Sequence, residues 1–447
     1  MAQISYIKYS DILKESSELR IEAEFYVNLN KYKIKKFVFG KDVINFVQYG
    51  TSKDLNEEQR GFPILRLNEF DGYYIGNPSK YSNLITEEVF ESLKLKKGDV
   101  LICRTNGNPH FVGKSAICME DLDIGYASYL FRIRPNKEIN SESLMIYLNS
   151  DYGRNEIEKH SMISNQANFS PAKFRQIKIP LLPQAFQLQI EEIVKSAHQK
   201  QTQSKQIYRE AEQLLLAELG LLDYEVKHSL WFTTTKNEVS KAHRYDSEYF
   251  QPKYAEIIKK IGKYDGGWDL VKNQFKQNTT LSKKDGEYCN YIEISDVNTS
   301  NGEITPNRVD TKDIPANGKR ELFKNDLLIS KVRPYRGAVS FIDFEVDNLI
   351  GSGAFTVLQE KTEYKKEVLM IFLKTQFIKD LLLRYNCGTS YPVIKDEDIL
   401  NLKIPLIKPS IQKQIVEKIQ ESHKLRKESK ELLAEAKRKV EEEIEKG

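Results

Sequence analysis

The sequence predicts an α+β protein: two tandem copies of one globular α/β domain, joined by two long helices that form an antiparallel coiled coil. Three observations lead to this class. The chain has 447 residues, 40% of them hydrophobic and 30% charged, which is enough for more than one hydrophobic core. Its segments recur in the same order about 225 residues apart. A long, charged stretch without proline follows each copy and is typical of a helix.

Four pairs of segments carry the internal repeat. Residues 178–190, KIPLLPQAFQLQI, return at 403–415 as KIPLIKPSIQKQI. Residues 95–104, LKKGDVLICR, return at 322–331 as LFKNDLLISK, and LMIYL at 144–148 returns as LMIFL at 369–373. Near the start of each copy, RIEAEFY at 20–26 is matched by RYDSEYF at 244–250. Because the order is kept and the offset drifts only slightly, we interpret the chain as two diverged copies of about 220 residues.

Each copy has the same predicted internal order. Its first part contains short strand-like runs, such as FPILRL, DVLIC, GKSAIC and YLFRIRP in the first copy, broken by Gly, Pro and Asn. A helix is predicted over 141–159, and the long helical stretch begins after Pro183 in the first copy and after Pro409 in the second. Gly220 is a suitable stop for the first long helix. The predicted domains are therefore 1–182, a central helix 183–222, 223–407, and a C-terminal helix 408–447.

The two long helical stretches share a heptad pattern with steps of four and three residues. In the first helix the seam positions are Ile190, Val194, Ala197, Gln201, Ser204, Tyr208, Ala211 and Leu215. In the second they are Ile415, Ile419, Ser422, Arg426, Ser429, Leu433, Ala436 and Val440, each 225 residues further on. Matching heptads inside matching repeats indicate that the two helices pair with each other rather than lie as separate amphipathic surface helices. An antiparallel pair would place one globular domain at each end of a rod.

Composition and motifs argue against several other classes of protein. The net charge is only +4, and the four cysteines form no CxxC pair. The spacing of His110 between Cys103 and Cys118 fits no common zinc pattern, so no metal or cofactor is predicted. The N-terminus lacks the apolar core of a signal peptide, and no apolar run reaches eighteen residues, which predicts a soluble, cytoplasmic protein.

Sequence motifs of catalysis are also incomplete. GNPHFVGKS at 107–115 is similar to a phosphate-binding loop, but five residues separate its glycines and a strand-like AICM follows where a helix is required. The matching residues of the second copy, GAVS at 337–340, lack the lysine. No Asn-Pro-Pro-aromatic motif of an amino-methyltransferase is present. The chain is therefore predicted not to be an enzyme by itself.

The ordered motifs resemble those of one known family. The Arg-x-acid-x-Glu-aromatic opening, GDVLI, the Ile-Pro-Leu segment, the Gln-x-Gln-Ile start of a long helix and the duplication together resemble the specificity subunit of a type I restriction–modification system. The resemblance covers essentially the whole chain. It implies two target-recognition domains that each read half of a split double-stranded DNA sequence. It also implies two methyltransferase subunits as partners, with restriction subunits in the full complex.

Candidate DNA-contacting residues follow the GDVLI-type strand in each copy. Arginine can pair with guanine and asparagine with adenine, while lysine mainly neutralises phosphate. These candidates are Arg104, Asn106, Asn108, His110 and Lys114 in the first copy, and Lys331, Arg333, Tyr335 and Arg336 in the second. A second polar cluster precedes each Ile-Pro-Leu segment, with Asn165, Gln166 and Asn168 in the first copy and Thr389, Ser390 and Tyr391 in the second. The alternative for each residue is an ordinary solvated or capped turn.

Two other functions compete with this interpretation. One is a coiled-coil scaffold whose two domains bind ligands other than DNA. The other is the specificity component of a different restriction class with a different catalytic chain. The recognised bases and the length of the spacer between the half-sites do not follow from the sequence.

Overall fold

The computed structural model describes residues 32–161, 167–386 and 391–446. The chain divides into two compact units: unit 1 comprises Met1–Gln201 with Arg426–Gly447, and unit 2 comprises Thr202–Leu425. Both units contain sheets and short helices, and both include part of two long helices, α5 (Gln184–Glu218) and α12 (Pro409–Lys446). The predicted α+β class is confirmed.

Unit 1 is built on short strands. They are β1 (Phe37–Phe39), β2 (Ile44–Tyr49), β3 (Leu55–Asn56), β4 (Phe62–Leu65), β5 (Phe70–Asp71), β6 (Tyr74–Ile75), β7 (Lys80–Ser82), β8 (Val100–Cys103), β9 (Thr105–Asn106), β10 (Ser115–Ile117), β11 (Gly125–Tyr126), β12 (Leu130–Pro135), β13 (Ala167–Asn168) and β14 (Lys178–Pro180). One sheet has the order β2–β12–β8–β10–β6–β5 and a second has β11–β4–β7–β3, while β1–β14 and β9–β13 form separate pairs. All four residues of β8 are buried, because this apolar strand lies inside the larger sheet.

The helices of unit 1 begin at side-chain caps. They are α1 (Glu87–Leu93), α2 (Ser141–Asn149), α3 (Asp151–His160) and α4 (Pro171–Phe174). Thr86, Asn140, Ser150 and Ser170 precede them, and each side-chain oxygen accepts a hydrogen bond from a backbone N–H of the first turn. The predicted helix over 141–159 is therefore two helices, because Ser150 ends the first and caps the second.

Unit 2 has the same kind of core with a different set of strands. They are β15 (Trp268–Leu270), β16 (Phe275–Gln277), β17 (Tyr288–Ile292), β18 (Asn307–Asp310), β19 (Gly318–Glu321), β20 (Leu327–Ser330), β21 (Val339–Phe341), β22 (Leu349–Ser352), β23 (Phe355–Glu360) and β24 (Lys403–Pro405). Two four-stranded sheets have the orders β16–β23–β20–β21 and β18–β17–β22–β19, and β15 pairs with β24. Its shorter helices are α6 (Lys236–Ala242), α7 (Pro252–Gly262), α8 (Val271–Gln274), α9 (Lys366–Lys374), α10 (Gln376–Leu383) and α11 (Asp396–Leu400).

The repeated Ile-Pro-Leu segments form the same junction in each unit. In unit 1, β14 pairs antiparallel with β1, with Pro180 opposite Phe37; in unit 2, β24 pairs antiparallel with β15, with Pro405 opposite Trp268. A long helix begins a few residues later in both units. The position of each helix start relative to its sheet is thus set by a short two-stranded ribbon.

A buried glutamine then ties each helix start to its own unit. The Gln187 side chain accepts from Asn140 N at 2.7 Å and donates to Leu182 O at 2.9 Å. The Gln412 side chain accepts from Lys365 N at 2.9 Å and donates to Ile407 O at 2.8 Å, and these partners stand 225 residues after those of Gln187. The first glutamine of the repeated Gln-x-Gln-Ile motif therefore makes the same set of hydrogen bonds in each unit.

Within each unit, the parts of the two long helices run antiparallel. In unit 1, Ser429 Oγ donates to Ala197 O at 2.7 Å, and Lys200 forms an ion pair with Glu428 at 2.5 Å. In unit 2, Lys418 forms an ion pair with Glu210 at 2.6 Å. As residue numbers rise along α5, those of the partners in α12 fall, which defines the direction of the pairing.

Most of the predicted heptad seam is buried. Ile190, Val194, Ala197, Ala211 and Leu215 are fully buried in α5, as are Ile415, Ile419, Ser422, Ala436 and Val440 in α12. The predicted seam positions Gln201, Arg426 and Leu433 are half-buried, and Leu425, next to Arg426, is buried. Burying the apolar side chain instead avoids the desolvation of a guanidinium group.

Candidate nucleic-acid interface

Arg104 is the first residue after the buried strand β8. Its backbone is fixed on both sides, because its N–H donates to Tyr129 O at 2.8 Å and its carbonyl accepts from Phe169 N at 2.7 Å. The guanidinium carbon lies 5.2 Å from the centre of the Tyr49 ring, in the range of a cation–π contact. Its Nε is buried and has no hydrogen-bond acceptor within the described ranges. Stacking on Tyr49 therefore holds the guanidinium group in place.

The loop beyond Arg104 is held by local turns. Asn106 Oδ1 accepts from Asn108 N at 2.9 Å, and Asn108 Oδ1 accepts from His110 N at 3.0 Å. Asn108 and His110 are exposed. The Arg154 guanidinium, on α3, donates to the carbonyls of Val112 and His110 at 2.6 and 3.1 Å. The hydrogen bonds from Arg154 thus fix the backbone of the loop, while the side chains of Asn108 and His110 are exposed.

Asn168, the described residue of the second polar cluster of unit 1, lies next to this loop. Strand β13 pairs antiparallel with β9, with Asn168 opposite Thr105 and Ala167 opposite Asn106. Asn168 is exposed. Asn165 and Gln166 lie outside the described residues. Asn168 therefore lies beside Thr105 and Asn106, although about 60 residues of sequence separate them.

Unit 2 brings the corresponding segments together in the same frame. Ile394 N donates to Lys331 O at 3.0 Å, as Phe169 N does to Arg104 O in unit 1. Arg333 N also donates to Pro392 O at 2.8 Å, and Val332 pairs with Val393. Thr389 and Ser390 lie outside the described residues, whereas Tyr391 is described.

Arg333 stacks on an aromatic ring, as Arg104 does. Its guanidinium carbon lies 4.6 Å from the centre of the Tyr391 ring, and Tyr391 is 65% exposed. The Arg333 backbone is left-handed, with φ of 48°, which is unfavourable for a residue with a Cβ. The following 3₁₀ turn, Pro334–Arg336, carries the half-buried Tyr335 and the exposed Arg336. The backbone is therefore strained at Arg333, the residue whose guanidinium group stacks on Tyr391.

The two lysines among the candidates have different surroundings. Lys331 forms an ion pair with Asp396 at 3.2 Å, and Asp396 also accepts from Thr356 Oγ1 at 2.5 Å. Lys114 is half-buried, and desolvation lowers the pKa of its ammonium group. Its Nζ lies 5.7 Å from the centre of the Phe111 ring. Neither lysine is a simple solvated surface charge.

A cavity of about 510 Å³ opens beside the loop of unit 1. Its lining residues are Leu67, Asn68, Phe70, Thr105, Asn106, Phe111, Lys114 and Tyr129. Burial raises the pKa of the Tyr129 hydroxyl to about 12, so this group stays protonated at neutral pH. The cavity therefore combines aromatic walls with amide, hydroxyl and ammonium groups.

Sequence analysis missed Tyr49, Arg154 and Asp396. Tyr49 reaches Arg104 because β2 pairs with β12 and β12 pairs with β8, a register that no local pattern encodes. Arg154 and Asp396 lie on helices and read as ordinary solvated charges. The β-branched and aromatic residues of β2 predict a strand, but they do not predict its partner.

Features of other sites are weak in the described part of the chain. No group of three or more His, Cys, Asp or Glu side chains within it could hold a metal ion. Cys103 and Cys118 are buried, which raises the pKa of both thiols to about 12. The lysine of the phosphate-loop-like segment is followed by strand β10 rather than by a helix. In the same ranges, no helix is both long and apolar enough to cross a membrane.

Comparisons with known proteins point to one family. Residues 268–438 match the type I restriction modification DNA specificity domain. A protein of Methanocaldococcus jannaschii, named as the MjaX specificity subunit of a type I restriction enzyme, is 24% identical over 412 residues, which cover 90% of each chain. The EcoKI specificity subunit of Escherichia coli strain K12 is 33% identical over 99 residues, 22% of this chain and 21% of its own.

The comparison with solved structures gives a distant similarity. The S subunit of a type I restriction–modification system from M. genitalium is 12% identical, with a TM-score of 0.43 over 92% of this chain and 95% of its own. The domain match covers β15 to much of α12, and the first half of the chain repeats the same motifs in the same order. The similarity to specificity subunits agrees with the prediction that this chain is a recognition subunit and is not itself an enzyme. The chain therefore carries a type I restriction modification DNA specificity domain over residues 268–438 and is similar over most of its length to a type I specificity subunit.

Proposed function

We propose that this chain recognises a bipartite double-stranded DNA site, with one half-site read by each unit. The supporting observation is that each unit presents an arginine just after an equivalent strand, and that each arginine stacks on a tyrosine ring. Arg104 directly follows β8, whereas Arg333 stands three residues after β20. The backbone frame around the two loops is the same, while the side chains on it differ. Two recognition surfaces with one scaffold and two side-chain sets suit two half-sites of different sequence.

Stacking makes these arginines suitable for reading bases. A guanidinium fork can donate two parallel hydrogen bonds to O6 and N7 of guanine in the major groove. A side chain already held against an aromatic ring loses less conformational entropy when it binds. Arg104 and Arg333 are therefore proposed to read guanine in their respective half-sites.

The remaining candidates are proposed to surround these two arginines. In unit 1, the amides of Asn106, Asn108 and Asn168 are proposed to contact base edges, together with His110. In unit 2, Tyr335 and Tyr391 are proposed to contact bases, and Arg336 to contact phosphate because it is exposed. Lys114 and Lys331 are proposed to contribute positive charge near the backbone of the DNA. The residues outside the described ranges, Asn165, Gln166, Thr389 and Ser390, keep their proposed contact with DNA.

We further propose that the two long helices set the spacer and bind the partners. The proposed division is 1–182 and 223–407 for the recognition domains, with 183–222 and 408–447 as the helical regions. The hydrogen bonds of Gln187 and Gln412 are the same in both units, so each helix leaves its own sheet in the same way. Two equivalent helix starts suit two copies of a methyltransferase subunit, with restriction subunits in the full complex.

Binding of selected duplexes at several salt concentrations tests the proposal. The full chain, with its methyltransferase partner, is used to select bound sequences from a random library. We expect two short specified segments separated by a spacer of constant length. Log affinity should fall with log salt by about 0.9 for each neutralised phosphate. Binding that is independent of salt, or a selection that yields no specified bases, would contradict DNA recognition.

A further inference from the structure

We propose that the cavity of unit 1 receives a nucleobase that has been turned out of the duplex. This proposal rests on the proposed function, because the base belongs to the half-site that unit 1 binds. The cavity shares Thr105, Asn106, Phe111 and Lys114 with the candidate DNA-reading loop. A base leaving the stack beside this loop would therefore meet the cavity opening directly. Its volume of about 510 Å³ lies within the roughly 300–1,000 Å³ that small-molecule sites have.

The lining has the chemistry that an extruded base requires. Enzymes that turn bases out of a duplex hold them between aromatic or apolar side chains and contact their polar edge. Here Phe70 and Tyr129 supply the rings that would hold the base, while Asn68 and Asn106 supply amide donors and acceptors. The ammonium group of Lys114 provides one charge at the same wall, where the phosphate of an extruded nucleotide would need a cation.

Phe111 suits a different role. It lies on the 3₁₀ turn Pro109–Phe111 and is 43% exposed, although it also lines the cavity. An exposed apolar ring on a turn can enter the space that a departing base leaves between its neighbours. The Arg154 guanidinium donates hydrogen bonds to the carbonyls of His110 and Val112, on either side of Phe111. These bonds fix the turn, which suits insertion of the Phe111 ring into the duplex.

Unit 2 has different residues at the equivalent positions. Cys103 N donates to Lys114 O in unit 1, and Ser330 N donates to Ala338 O in unit 2, which makes Lys114 and Ala338 equivalent. In the same way, Arg104 N donates to Tyr129 O and Lys331 N donates to Ala354 O. Two small alanines thus replace a cation and an aromatic ring. Extrusion into a cavity is therefore inferred for the half-site of unit 1 alone.

A mismatch scan with the full chain and its methyltransferase partner tests this inference. At each position of the half-site read by unit 1, the opposite base is changed so that one pair is mismatched, and affinity is measured. An extruded base must first break its pair, so a mismatch there raises affinity, whereas a mismatch within the duplex lowers it. Positions that become methylated are set aside, because methyltransferases also extrude the base they modify.

We expect one further position in the half-site of unit 1 at which a mismatch raises affinity about tenfold or more. 2-Aminopurine at or next to that position should brighten on binding. Phe111→Ala should weaken binding of the intact site by roughly 5- to 150-fold, as loss of a stacking ring does, and remove the mismatch gain. Lys114→Ala, which introduces the residue that unit 2 has, should also weaken binding of the intact site. Phe39→Ala removes a ring of similar exposure, 41%, outside the cavity and should change neither property.

The outcomes separate the cavity from the wider function. Specific binding to two half-sites without any such position overturns the cavity proposal and leaves DNA recognition intact. A mismatch gain that persists in both Phe111→Ala and Lys114→Ala also overturns it, because the base then leaves the duplex for another site. Absence of sequence-specific binding overturns both proposals together.

Discussion

The hydroxyl groups of Ser204 and Ser422 lie 3.0 Å apart in unit 2, where the two long helices pack against each other. Each serine also faces the backbone of the other helix: Ser204 Oγ lies 2.7 Å from Ser422 O, and Ser422 Oγ lies 2.9 Å from Ser204 O. Both side chains are fully buried. Small side chains at this point allow the helix backbones to approach closely, and their hydroxyls are satisfied by each other's helix.

Ser204→Leu should destabilise unit 2 by about 1–3 kcal/mol, because a larger side chain overfills a close helix contact. Ser204→Ala should cost about 0.5–1.5 kcal/mol, the net value of a typical hydrogen bond. Denaturant unfolding followed by tryptophan fluorescence measures both, since Trp231 and Trp268 lie in unit 2. The exposed neighbour Gln203 is the control, and Gln203→Leu should change stability by less than about 0.5 kcal/mol. Equal effects of the two leucines would contradict this account of the contact.

Asp326→Asn should make the stability of unit 2 less dependent on pH. Asp326 is buried and accepts from Asn278, Gln359 and the backbone of Phe323, with no cation among these partners. Burial raises the pKa of its carboxyl above the ordinary value. The unfolded chain therefore releases this proton at a lower pH than the folded chain does.

The stability that Asp326 contributes is thus fully present below its unfolded pKa and is lost as pH rises through the folded pKa. The measurement is the denaturation midpoint of unit 2 from about pH 4, near the ordinary pKa of aspartate, to neutral pH. Asp326→Asn should flatten the fall, while the exposed Asp285→Asn should leave it unchanged. If the stability of the wild-type protein instead rises over this range, and if Asp326→Asn leaves that rise unchanged, other groups dominate the pH dependence of stability.

The corresponding aspartate of unit 1, Asp99, is paired differently. It forms ion pairs with Arg132 at 3.0 Å and Arg134 at 2.7 Å, and Asp99 and Arg132 are both buried. In unit 2, the strand register places Gln359 where unit 1 has Arg134 and the apolar Val357 where unit 1 has Arg132, so this strand brings no arginine to the buried carboxylate. Asp99→Ala should therefore cost about 3–5 kcal/mol, because it leaves the Arg132 charge buried with one partner removed. Loss of the cooperative unfolding transition of unit 1 in proteolysis or hydrogen-exchange experiments would report it.

Arg104→Ala should relax specificity in one half-site only, by about 1–3 kcal/mol at the base it reads. Arg333→Ala should have the same effect in the other half-site. Tyr49→Ala should weaken the Arg104 contact by a smaller amount, whereas Tyr49→Phe should preserve it, because the ring supports the guanidinium. Base preferences from sequence selection measure these effects, with the exposed Arg60→Ala as a control. Loss spread evenly over both half-sites would instead indicate phosphate contacts or a role in folding.

Insertion of one heptad into each long helix tests whether the helices set the spacer. Lys200 forms an ion pair with Glu428 in unit 1, so insertions beside these two residues lie opposite each other. Seven residues add roughly 10 Å of helix, equivalent to about three base pairs. Three extra base pairs also rotate one half-site relative to the other. A longer preferred spacer and a loss of simultaneous binding to both half-sites are therefore both expected outcomes if the helices set the spacer. Selection from a library of spacer lengths measures this, and unchanged spacing at undiminished affinity would contradict the role of the helices.

The two junctions between a short β ribbon and a long helix show what a repeated sequence can and cannot predict. Gln187 and Gln412 stand in matching segments, and matching sequence indicated matching geometry, which the structure has. The same pattern could not say what the glutamines do. Their partners, Asn140 and Lys365, lie 47 residues earlier in the chain and share no local motif with them.

The seam of the long helices shows a different limit. Heptad spacing predicted the buried positions at both ends, where the residues are apolar and the choice is clear. At the polar middle the pattern selected Arg426, but Leu425 is the buried residue. One residue of helix turns a side chain by about 100°, so a small shift in register decides between neighbouring positions when the periodic signal is weak.

By itself, the sequence determined the duplication, the α+β class, the starts of the long helices and the position of the polar loops after buried strands. These features follow from local patterns, namely hydrophobic periodicity, proline and capping residues, and repeated order. The tertiary structure decided which distant residues meet: Tyr49 with Arg104, Asp396 with Lys331, and the aromatic rings around the cavity of unit 1. Strand register and helix packing create those contacts, and both depend on the packing of the whole core, which no single segment specifies.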